Sequence, residues 1–540
     1  MSDLAGRPAA LRVFGRPPRI ALLVYNDAHN DSRVLKTAAS LRNAGALVRI
    51  FAVARRRAGY ADGSGLVGEA IAVERAPEFE LARYASGRLA LGIARRLTGR
   101  ETPTDAGRTT VGGHTAGHGD AGHSAAGGAT AGDGDAGHSA AGGATAGDVD
   151  GHAAEVGHVA AGLTATGAPP ALETLQAPES SGPAVPMSEP GASETVCRSR
   201  SLRTAQTAFL DLWLRTYRTL SLGLYWLHTA RAAARWQPDV IHANDGNTLA
   251  PAVWIAHTSG ARIIYDSHEL WLHRNVRGDR PVAPRVEAII ERSAIGRAAG
   301  VITVSPSIAT WLEQRYRLPH PPTVVRNAPR AQCTPDGEAL QTSVNQGLLR
   351  DLAGLRRDEQ VIAYAGRITS SRGIEETLQA LTLLPPMVHF VLLGYGEPDY
   401  LARLHTFIGE HRIGPRVHFV GAVGSNDVSA ALADADVSVV FVRPICTSYE
   451  FSLPNKLFES IHAGVPVVAA ELPDTAALVR EHNVGEIFAT AESVDMARTI
   501  EAVLADPRPY RLAARQAASI LTWQHEEVGL LKLYADVLAR

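Results

Sequence analysis

Short apolar runs alternate with segments of helical spacing along most of this chain. The first run, RIALLVY at 19–25, breaks at a polar NDAHND segment and is followed by helical spacing over 32–43 and by a second apolar run at 47–52. Short β-rich runs bounded by polar turns predict buried strands, and the segment between them must cross over the sheet. The opening therefore predicts a βαβ unit whose helix is capped by Asp31 or Ser32.

The same alternation continues in two series. The first adds the runs PDVIH, ARIIYD and GVITV, which begin at Pro238, Ala261 and Gly300. The second begins near Val361 with VIAYAG and continues through HFVLLG, RVHFVG, VSVVFV, PVVAA and GEIFA. Strands that alternate with helices form parallel sheets covered on both faces, and ligands bind at the carboxyl ends of such strands. The predicted fold class is α/β, with two Rossmann-like doubly wound domains facing each other across a cleft.

The composition changes between residues 102 and 195 to Gly, Ala, His, Ser and Pro. Within this tract AGHSAAGGATAGDGD, which starts at Ala121, is followed directly by AGHSAAGGATAGDVD, which starts at Ala136. The tract has too few large apolar residues to form a core, so we expect it to be disordered. No scaffold would fix its histidines in a metal-binding geometry. These are His114, His118, His123, His138, His152 and His158.

The tract divides the predicted first domain. We expect a flexible N-terminus at 1–18, an N-terminal domain in two parts at 19–101 and 196–335 around the insert at 102–195, a C-terminal domain at 336–519 and a terminal helix at 520–540. Phe209 to Trp236 has helical length, and either a packed helix of the first domain or an interfacial membrane helix fits its mixture of Leu, Trp, Tyr and Arg.

Several classes of function are disfavoured by charge and composition. A formal net charge of -2 provides no basic field for nucleic acid. The three cysteines, Cys197, Cys333 and Cys446, form no CxxC pair and fit a reducing cytoplasm better than a disulfide framework. The opening has no apolar signal region, and no stretch is long and apolar enough to span a bilayer. We therefore expect a cytoplasmic protein, with peripheral contact at the inner face of the membrane as an alternative.

Dehydrogenase, hydrolase and kinase functions also lack their motifs. Gly394-Tyr395-Gly396 has neither the third glycine nor the later acidic residue of a dinucleotide-binding fingerprint. The chain contains no GxSxG motif and no P-loop.

The segment SYEFSLPNKLFESIHAGVPVVAA, from Ser448, runs from a polar loop into a helix at about Asn455. Backbone N–H groups at a helix start favour a bound diphosphate. Lys456 lies there, although the chain contains only two other lysines. Glu459, one turn further, could accept hydrogen bonds from ribose hydroxyls; alternatively, the two residues form an exposed ion pair.

Polar residues also follow the predicted strands of the first half. His268 comes directly after RIIYDS, which places it in a loop facing the cleft, unless it is a core or capping histidine. Asp245 follows the preceding strand, and Asn30 and Arg33 follow the first one. These three could line an acceptor site, but polar loops at strand ends are also common without a function.

Together, these motifs resemble the GT-B glycosyltransferases of family 4, of the group 1 type. The resemblance depends on Gly366-Arg367 followed by Arg372-Gly373, on LLGYGE, on Phe419 to Gly421, and on SLPNKLFE with AGVPVVA. It covers most of residues 19–65 and 200–540. The order and spacing of the motifs carry it, because each motif alone is weak.

The resemblance implies transfer of a sugar from a nucleoside diphosphate sugar to a glycan, lipid or small-molecule acceptor, with retention of configuration. Cell-envelope glycans are among the expected products. No divalent metal or other cofactor is expected, since positive side chains would stabilise the leaving diphosphate. The implied catalytic residues are His268, Arg367 and Arg372. The implied donor-binding residues are Gly366, Gly394, Ser452, Asn455, Lys456 and Glu459. The acceptor or sugar side would include Asn30, Arg33, Asp245 and Glu450.

Two positions depart from the family pattern. The family usually has Lys where Arg372 stands, which keeps the charge but changes the hydrogen-bond geometry. It usually has a Glu that contacts the transferred sugar where this chain has Phe451, beside Glu450. Two alternatives to glycosyl transfer remain. One is an epimerase acting on a nucleotide sugar, and the other is a catalytically silent partner that binds a nucleotide sugar or glycan. The resemblance also implies that the terminal helix crosses back to the first domain.

Overall fold

The computed structural model describes residues 10–29, 31–56, 59–79, 216–275, 283–331 and 347–540. The expected insert at 102–195 with its histidines, Cys197, Cys333 and the candidate site residue Asn30 lie outside these residues. Both sheets described below belong to one structural unit of the chain.

The first sheet has the order β3-β4-β2-β1-β5-β6-β7-β8. All its neighbouring strands are parallel except β3 and β4, which are antiparallel. The strands are β1 Arg19–Leu23, β2 Leu47–Val53, β3 Gly63–Val67, β4 Ile71–Ala76, β5 Val240–Asn244, β6 Arg262–Ser267, β7 Gly300–Thr303 and β8 Thr323–Val324. The helices are α1 Ser32–Asn43, α2 at 216–236, α3 Leu249–Ser259, α4 Ala283–Ile295 and α5 Pro306–Tyr316.

The second sheet is parallel throughout, with the order β11-β10-β9-β12-β13-β14. Its strands are β9 Gln360–Ala365, β10 Val388–Leu393, β11 Val417–Gly421, β12 Val437–Val440, β13 Val467–Ala470 and β14 Gly485–Phe488. Its helices are α6 Leu349–Ala353, α7 Ile374–Leu381, α8 Pro398–Glu410, α9 Val428–Leu432, α10 Thr447–Glu450, α11 Asn455–His462, α12 Pro473–His482, α13 Ser493–Ala505 and α14 Arg508–Ile520. A terminal helix, α15 Trp523–Ala539, follows.

One mostly parallel and one fully parallel α/β sheet confirm the predicted fold class. The apolar runs form the central strands because both faces of each sheet are covered by helices, which leaves every residue of β10 and β12 buried. Asp31 caps α1 by accepting a hydrogen bond from the Val34 N–H at 3.1 Å. The sequence analysis did not include β3, β4 and β8, because the Gly-rich β3 and the two-residue β8 have almost no apolar pattern.

The structure corrects the expectation of a flexible N-terminus for residues 10–18. Leu11 and Val13 are buried in the core on one face of the first sheet. The Leu11 N–H donates to the Ala44 carbonyl at 2.8 Å, just after α1. Two isolated apolar side chains carry no periodic signal, so their burial could not be inferred from spacing.

The described part of the predicted helix at 209–236 packs against the first sheet. Tyr225 is fully buried beside Val53 and Ala76, and the Trp226 indole N–H donates to the Asn247 carbonyl at 2.7 Å. Within the described ranges, no helix combines the length and the apolar character needed to cross a membrane.

Helix α15 also packs on the first sheet. Trp523, Leu530, Leu531, Tyr534 and Val537 share one core with strands β1, β2 and β5. The Trp523 backbone N–H donates to the Pro329 carbonyl at 2.8 Å, and its indole N–H donates to Ser40 Oγ at 2.8 Å. The helix therefore joins the segment that links the two sheets to helix α1.

Candidate functional site

His268 lies directly after β6, between two carboxylates. Its Nδ1 is 3.3 Å from Asp245 Oδ2, and its Nε2 is 3.3 Å from Asp266 Oδ2. Its backbone N–H donates to Asp245 Oδ1 at 3.1 Å. Burial by itself would lower the pKa of His268, but the charges of Asp245 and Asp266 raise this pKa to about 10. At neutral pH the side chain is therefore an imidazolium.

Asp245 holds an unusual backbone conformation at the end of β5, with φ of 60° and ψ of 167°. A side chain other than glycine rarely adopts this region, and it persists only where surrounding contacts over-determine it. Here the Asp245 N–H donates to the Asp266 carbonyl at 2.9 Å, while its carboxylate holds His268. In this conformation the Asp245 carboxylate lies 3.3 Å from His268 Nδ1.

Asp266 lies at the centre of a buried polar network beneath His268. Arg33 holds it with two hydrogen bonds, from Nη2 to Oδ1 at 2.8 Å and from Nε to Oδ2 at 3.0 Å. His242 Nε2 lies 3.3 Å from the same Oδ2, and His242 Nδ1 lies 2.7 Å from the Tyr534 hydroxyl. Although burial alone would raise the pKa of Asp266, Arg33 and His268 hold it well below its usual value.

Lys456 is buried at the start of α11, only 7% exposed. Its Nζ donates to the Phe441 carbonyl at 3.0 Å and lies 4.4 Å from the ring centroid of Tyr364. Burial, followed by the nearby charge of Arg372, lowers the pKa of Lys456 to about 7. Because Lys456 is buried and its Nζ contacts a carbonyl and an aromatic ring, an exposed Lys456–Glu459 ion pair is not what the structure shows.

Glu459 lies between Lys456 and Lys36, a buried lysine of α1. Burial raises the pKa of Glu459 to about 7, and both lysines act in the opposite direction. Lys36 Nζ donates to the Ala328 carbonyl at 2.6 Å, in the segment that joins the two sheets, and burial lowers its pKa to about 7. Three ionisable side chains from the two halves therefore titrate close to neutral pH.

The two arginines of the GR and RG motifs have different surroundings. The Arg372 guanidinium lies 5.0 Å from the ring centroid of Tyr449, and its charge acts on both Lys456 and Glu269. Glu269 follows His268, so Arg372 faces the first half. Arg367 is more than half exposed and pairs with the exposed Glu397.

Gly366 and Gly394 end the neighbouring strands β9 and β10. A Cβ atom at Gly394 would lie 1.8 Å from the carbonyl oxygen of Gly366, so no larger residue fits there. Gly366 has φ of +120°, and nothing lies within 4 Å of where its Cβ would be. The two glycines bring the strand ends close together and leave open space above Gly366 for a ligand.

The remaining candidates lie on α10, at the start of α11 and on the loop between these helices. The Ser452 hydroxyl donates to the Tyr449 carbonyl at 2.8 Å, and Asn455 is exposed and accepts a hydrogen bond from the Asn327 amide at 3.1 Å. Glu450 is exposed on α10. Phe451 packs against the core that contains Tyr265 and Leu270 of the first half. The position where the family pattern has Glu is thus an apolar contact between the two halves.

A cavity of about 540 Å³ opens between the two halves at the carboxyl ends of the strands. Its lining includes His268 and Arg33 on one side and Leu453 and Asn455 on the other, with Asn327 from the joining segment. Although Arg33 lines the cavity, its guanidinium is bound to Asp266. In the part of the chain that the structure describes, no group of three or more His, Cys, Asp or Glu residues could hold a metal ion.

Sequence reasoning missed four residues of this region: Lys36, His242, Asp266 and Tyr534. Each is a polar residue placed among apolar ones on a strand or helix, and each is buried. The signal that could have indicated them is polarity inside an apolar run, such as His242 in PDVIH, because buried polar groups require partners.

Comparison with known proteins identifies the class of protein to which this chain belongs. The sequence model described as "Glycosyl transferases group 1" matches residues 359–506, and the "Glycosyl transferase 4-like domain" matches residues 150–328. Together the two matches span more than half of the chain. The fold and these matches define an enzyme of glycosyl transfer.

Relatives and solved structures agree with that class. The chain is 25% identical to 2-deoxystreptamine glucosyltransferase from Streptomyces kanamyceticus, over 58% of this chain and 80% of that protein. It is 27% identical to D-inositol 3-phosphate glycosyltransferase from Mycolicibacterium gilvum, over 57% of this chain and 69% of that protein. Sucrose-phosphate synthase from Thermosynechococcus elongatus shares the fold, with a TM-score of 0.58 and 14% identity over 97% of this chain and 99% of that one. The chain belongs to the GT-B glycosyltransferases of the group 1, family 4-like type.

Proposed function

We propose that this enzyme transfers a glycosyl unit from a nucleoside diphosphate sugar to an acceptor hydroxyl, with retention of configuration and without a divalent metal. The observation that carries the proposal is the pair of neighbouring cations, Lys456 and Arg372, at the carboxyl edge of the second sheet. Two positive charges buried close together destabilise each other unless an anion binds beside them. A diphosphate at the start of α11 would be such an anion.

The same arrangement suggests how the bond between the sugar and the diphosphate is broken. In the transfer, the bond from the anomeric carbon to the diphosphate oxygen breaks with its electron pair left on the diphosphate. The acceptor oxygen bonds to the anomeric carbon and passes its proton to an oxygen of the departing diphosphate. Lys456 and Arg372 would stabilise the charge that develops on the diphosphate, which is the task that a metal ion performs in other enzymes. Glu459 would accept hydrogen bonds from the ribose.

His268 would act on the sugar side as a fixed positive charge. Because Asp245 and Asp266 raise its pKa to about 10, it is protonated at neutral pH and cannot serve as a general base there. Both of its ring nitrogens face carboxylates, so the imidazolium would stabilise negative charge on the departing phosphate through its own charge rather than by donating a hydrogen bond. The acceptor would enter from the side of the cavity lined by Asn26, Asp27 and Asp31.

The first acceptors to test are small polyhydroxylated molecules, because the two relatives are named for 2-deoxystreptamine and D-inositol 3-phosphate. Glycans of the cell envelope and lipid-linked sugars form a second group. The purified protein is incubated with a panel of nucleotide sugars and each acceptor, and free nucleoside diphosphate is measured with and without a chelator. We expect release that the chelator does not reduce, and a product that keeps the anomeric configuration of the donor by NMR.

Two outcomes would reject the proposal. Interconversion of the nucleotide sugar without release of nucleoside diphosphate would indicate an epimerase. Release that requires added divalent metal would show that Lys456 and Arg372 do not suffice for the leaving group.

A further inference from the structure

A continuous polar chain leads from the last helix of the protein to the candidate sugar-side histidine. Hydrogen bonds join the Tyr534 hydroxyl to His242 Nδ1 at 2.7 Å and His242 Nε2 to Asp266 Oδ2 at 3.3 Å. Asp266 Oδ2 then lies 3.3 Å from His268 Nε2, an ion-pair contact without hydrogen-bond geometry. Tyr534 and His242 are fully buried, and Asp266 is 1% exposed. Their partners are therefore protein groups rather than bulk water.

The direction of the hydrogen bonds follows from the groups at the two ends. Asp266 is a carboxylate bound to Arg33, so a nitrogen that approaches it must carry a hydrogen. Burial and the charge of Asp266 raise the pKa of Tyr534 well above its usual value, so its hydroxyl keeps its proton. The Tyr534 hydroxyl can then donate to His242 Nδ1, which leaves the hydrogen of His242 on Nε2, facing Asp266.

We propose that Tyr534 and His242 are positioning residues for His268: they hold Asp266 from below so that its carboxylate orients the imidazole toward the cavity. The proposal rests on the proposed role of His268 on the sugar side. Tyr534 fixes the tautomer of His242, since the other tautomer would turn a nitrogen lone pair toward Asp266 Oδ2. Partners behind a catalytic group commonly set its orientation in this way.

Tyr534 also connects this polar chain to the last helix of the protein. Tyr534 belongs to α15, which follows the second half in sequence but packs on the first sheet. Helix α15 also anchors the joining segment, because Glu526 accepts hydrogen bonds from the Arg326 backbone N–H at 2.8 Å and from its Nε at 2.7 Å. Helix α15 thus contacts both the joining segment and the polar chain behind His268.

The substitution Tyr534→Phe removes a single oxygen and keeps the ring in the core. We expect it to lower kcat for nucleoside diphosphate release by about tenfold, since small displacements of a catalytic group are costly, and to change the donor KM by less than about twofold. The donor KM is spared because the donor residues lie on the second sheet. His242→Gln, which keeps a donor and an acceptor on one amide, should retain more activity than His242→Leu.

Val537→Ala is the matched control, because Val537 is a fully buried apolar residue of the same helix and lies outside the polar chain. It should lower the melting temperature at least as much as Tyr534→Phe while leaving kcat within about twofold of wild type. Equal losses of kcat in the two variants, or an unchanged kcat in Tyr534→Phe, would overturn the proposal.

An NMR titration of the His268 ring tests the inference without any substrate. We expect Tyr534→Phe, but not Val537→Ala, to lower the pKa of His268, because a less constrained Asp266 attracts the imidazolium less strongly. An unchanged His268 pKa in Tyr534→Phe would overturn the positioning role. If wild type released no nucleoside diphosphate from any donor, the proposed function would fail, and this titration would still decide the inference.

Discussion

Lys456 provides a direct test of the donor site, because its charge depends on what occupies that site. The side chain is buried, its Nζ contacts only the Phe441 carbonyl and the Tyr364 ring among the contacts of the described residues, and its pKa is lowered to about 7. A bound diphosphate would supply a negative charge beside Lys456. The substitution Lys456→Met removes the charge and keeps most of the length of the side chain.

The expected magnitude follows from the hydrogen bond that is lost. A hydrogen bond that involves a charged group contributes about 1.5–3 kcal/mol, which corresponds to roughly ten- to hundredfold in the dissociation constant of the nucleotide sugar. Part of this contribution depends on pH, because Lys456 must take up a proton before it can bind the diphosphate as a cation. With a free-state pKa of about 7, affinity should fall by about tenfold between about pH 6 and about pH 8.

Isothermal calorimetry with the nucleotide sugar measures both effects. Glu459 titrates near the same pH with the opposite consequence, so the pH comparison is made in a Glu459→Gln background. In that background, binding at about pH 8 should take up close to one proton, which is seen as a dependence of the enthalpy on the ionisation enthalpy of the buffer. The additional change Lys456→Met should abolish both the uptake and the pH dependence.

Lys532 provides the matched control, because it is the third lysine of the chain and lies exposed on α15. Lys532→Met changes the net charge by the same amount and should leave the affinity unchanged. If Lys456→Met binds the donor as tightly as wild type, or if Lys532→Met weakens binding equally, then Lys456 does not contact the diphosphate and the donor site lies elsewhere.

Three further predictions follow from the same contacts. Glu459→Gln should raise the donor KM by about tenfold at about pH 8, where the carboxylate of wild-type Glu459 is ionised. The increase should be much smaller at about pH 6, where wild-type Glu459 is protonated. Steady-state kinetics at both pH values provide the comparison. Gly394→Ala should lower the free energy of unfolding by about 3 kcal/mol or more, because its Cβ would overlap the Gly366 carbonyl. The control is Gly409→Ala, in open space on α8, which should be neutral or stabilising in the same urea titration. Because the folded-state pKa of His268 is raised, its contribution to stability is complete below about pH 6.5 and is lost as pH rises toward about 10. The difference in unfolding free energy between wild type and His268→Gln should therefore shrink over that range, and a constant difference would contradict the ion-pair geometry.

The sequence alone was sufficient for the fold class, because periodicity reports which residues must be buried. Runs such as HFVLLG and VSVVFV can be covered on both faces only in a parallel sheet between helices, and both became central strands of the second sheet. The start of α11 at Asn455 was also evident, since a polar loop precedes an apolar spacing there. The donor-side role of the GR and RG motifs, by contrast, came only from the resemblance to family 4 glycosyltransferases.

Only the tertiary structure determined which charges meet. Arg33 and Asp266 are 233 positions apart, and His242 and Tyr534 are 292 apart, yet both pairs are buried in contact. The structure also separated the two arginines of the GR and RG motifs, since Arg367 pairs with Glu397 while Arg372 faces Glu269. Local spacing predicts which face of a strand or helix is apolar, but a pKa depends on burial and on charges brought together by chain crossovers. The protonation states of Lys456, Glu459 and His268 therefore follow from the assembled fold.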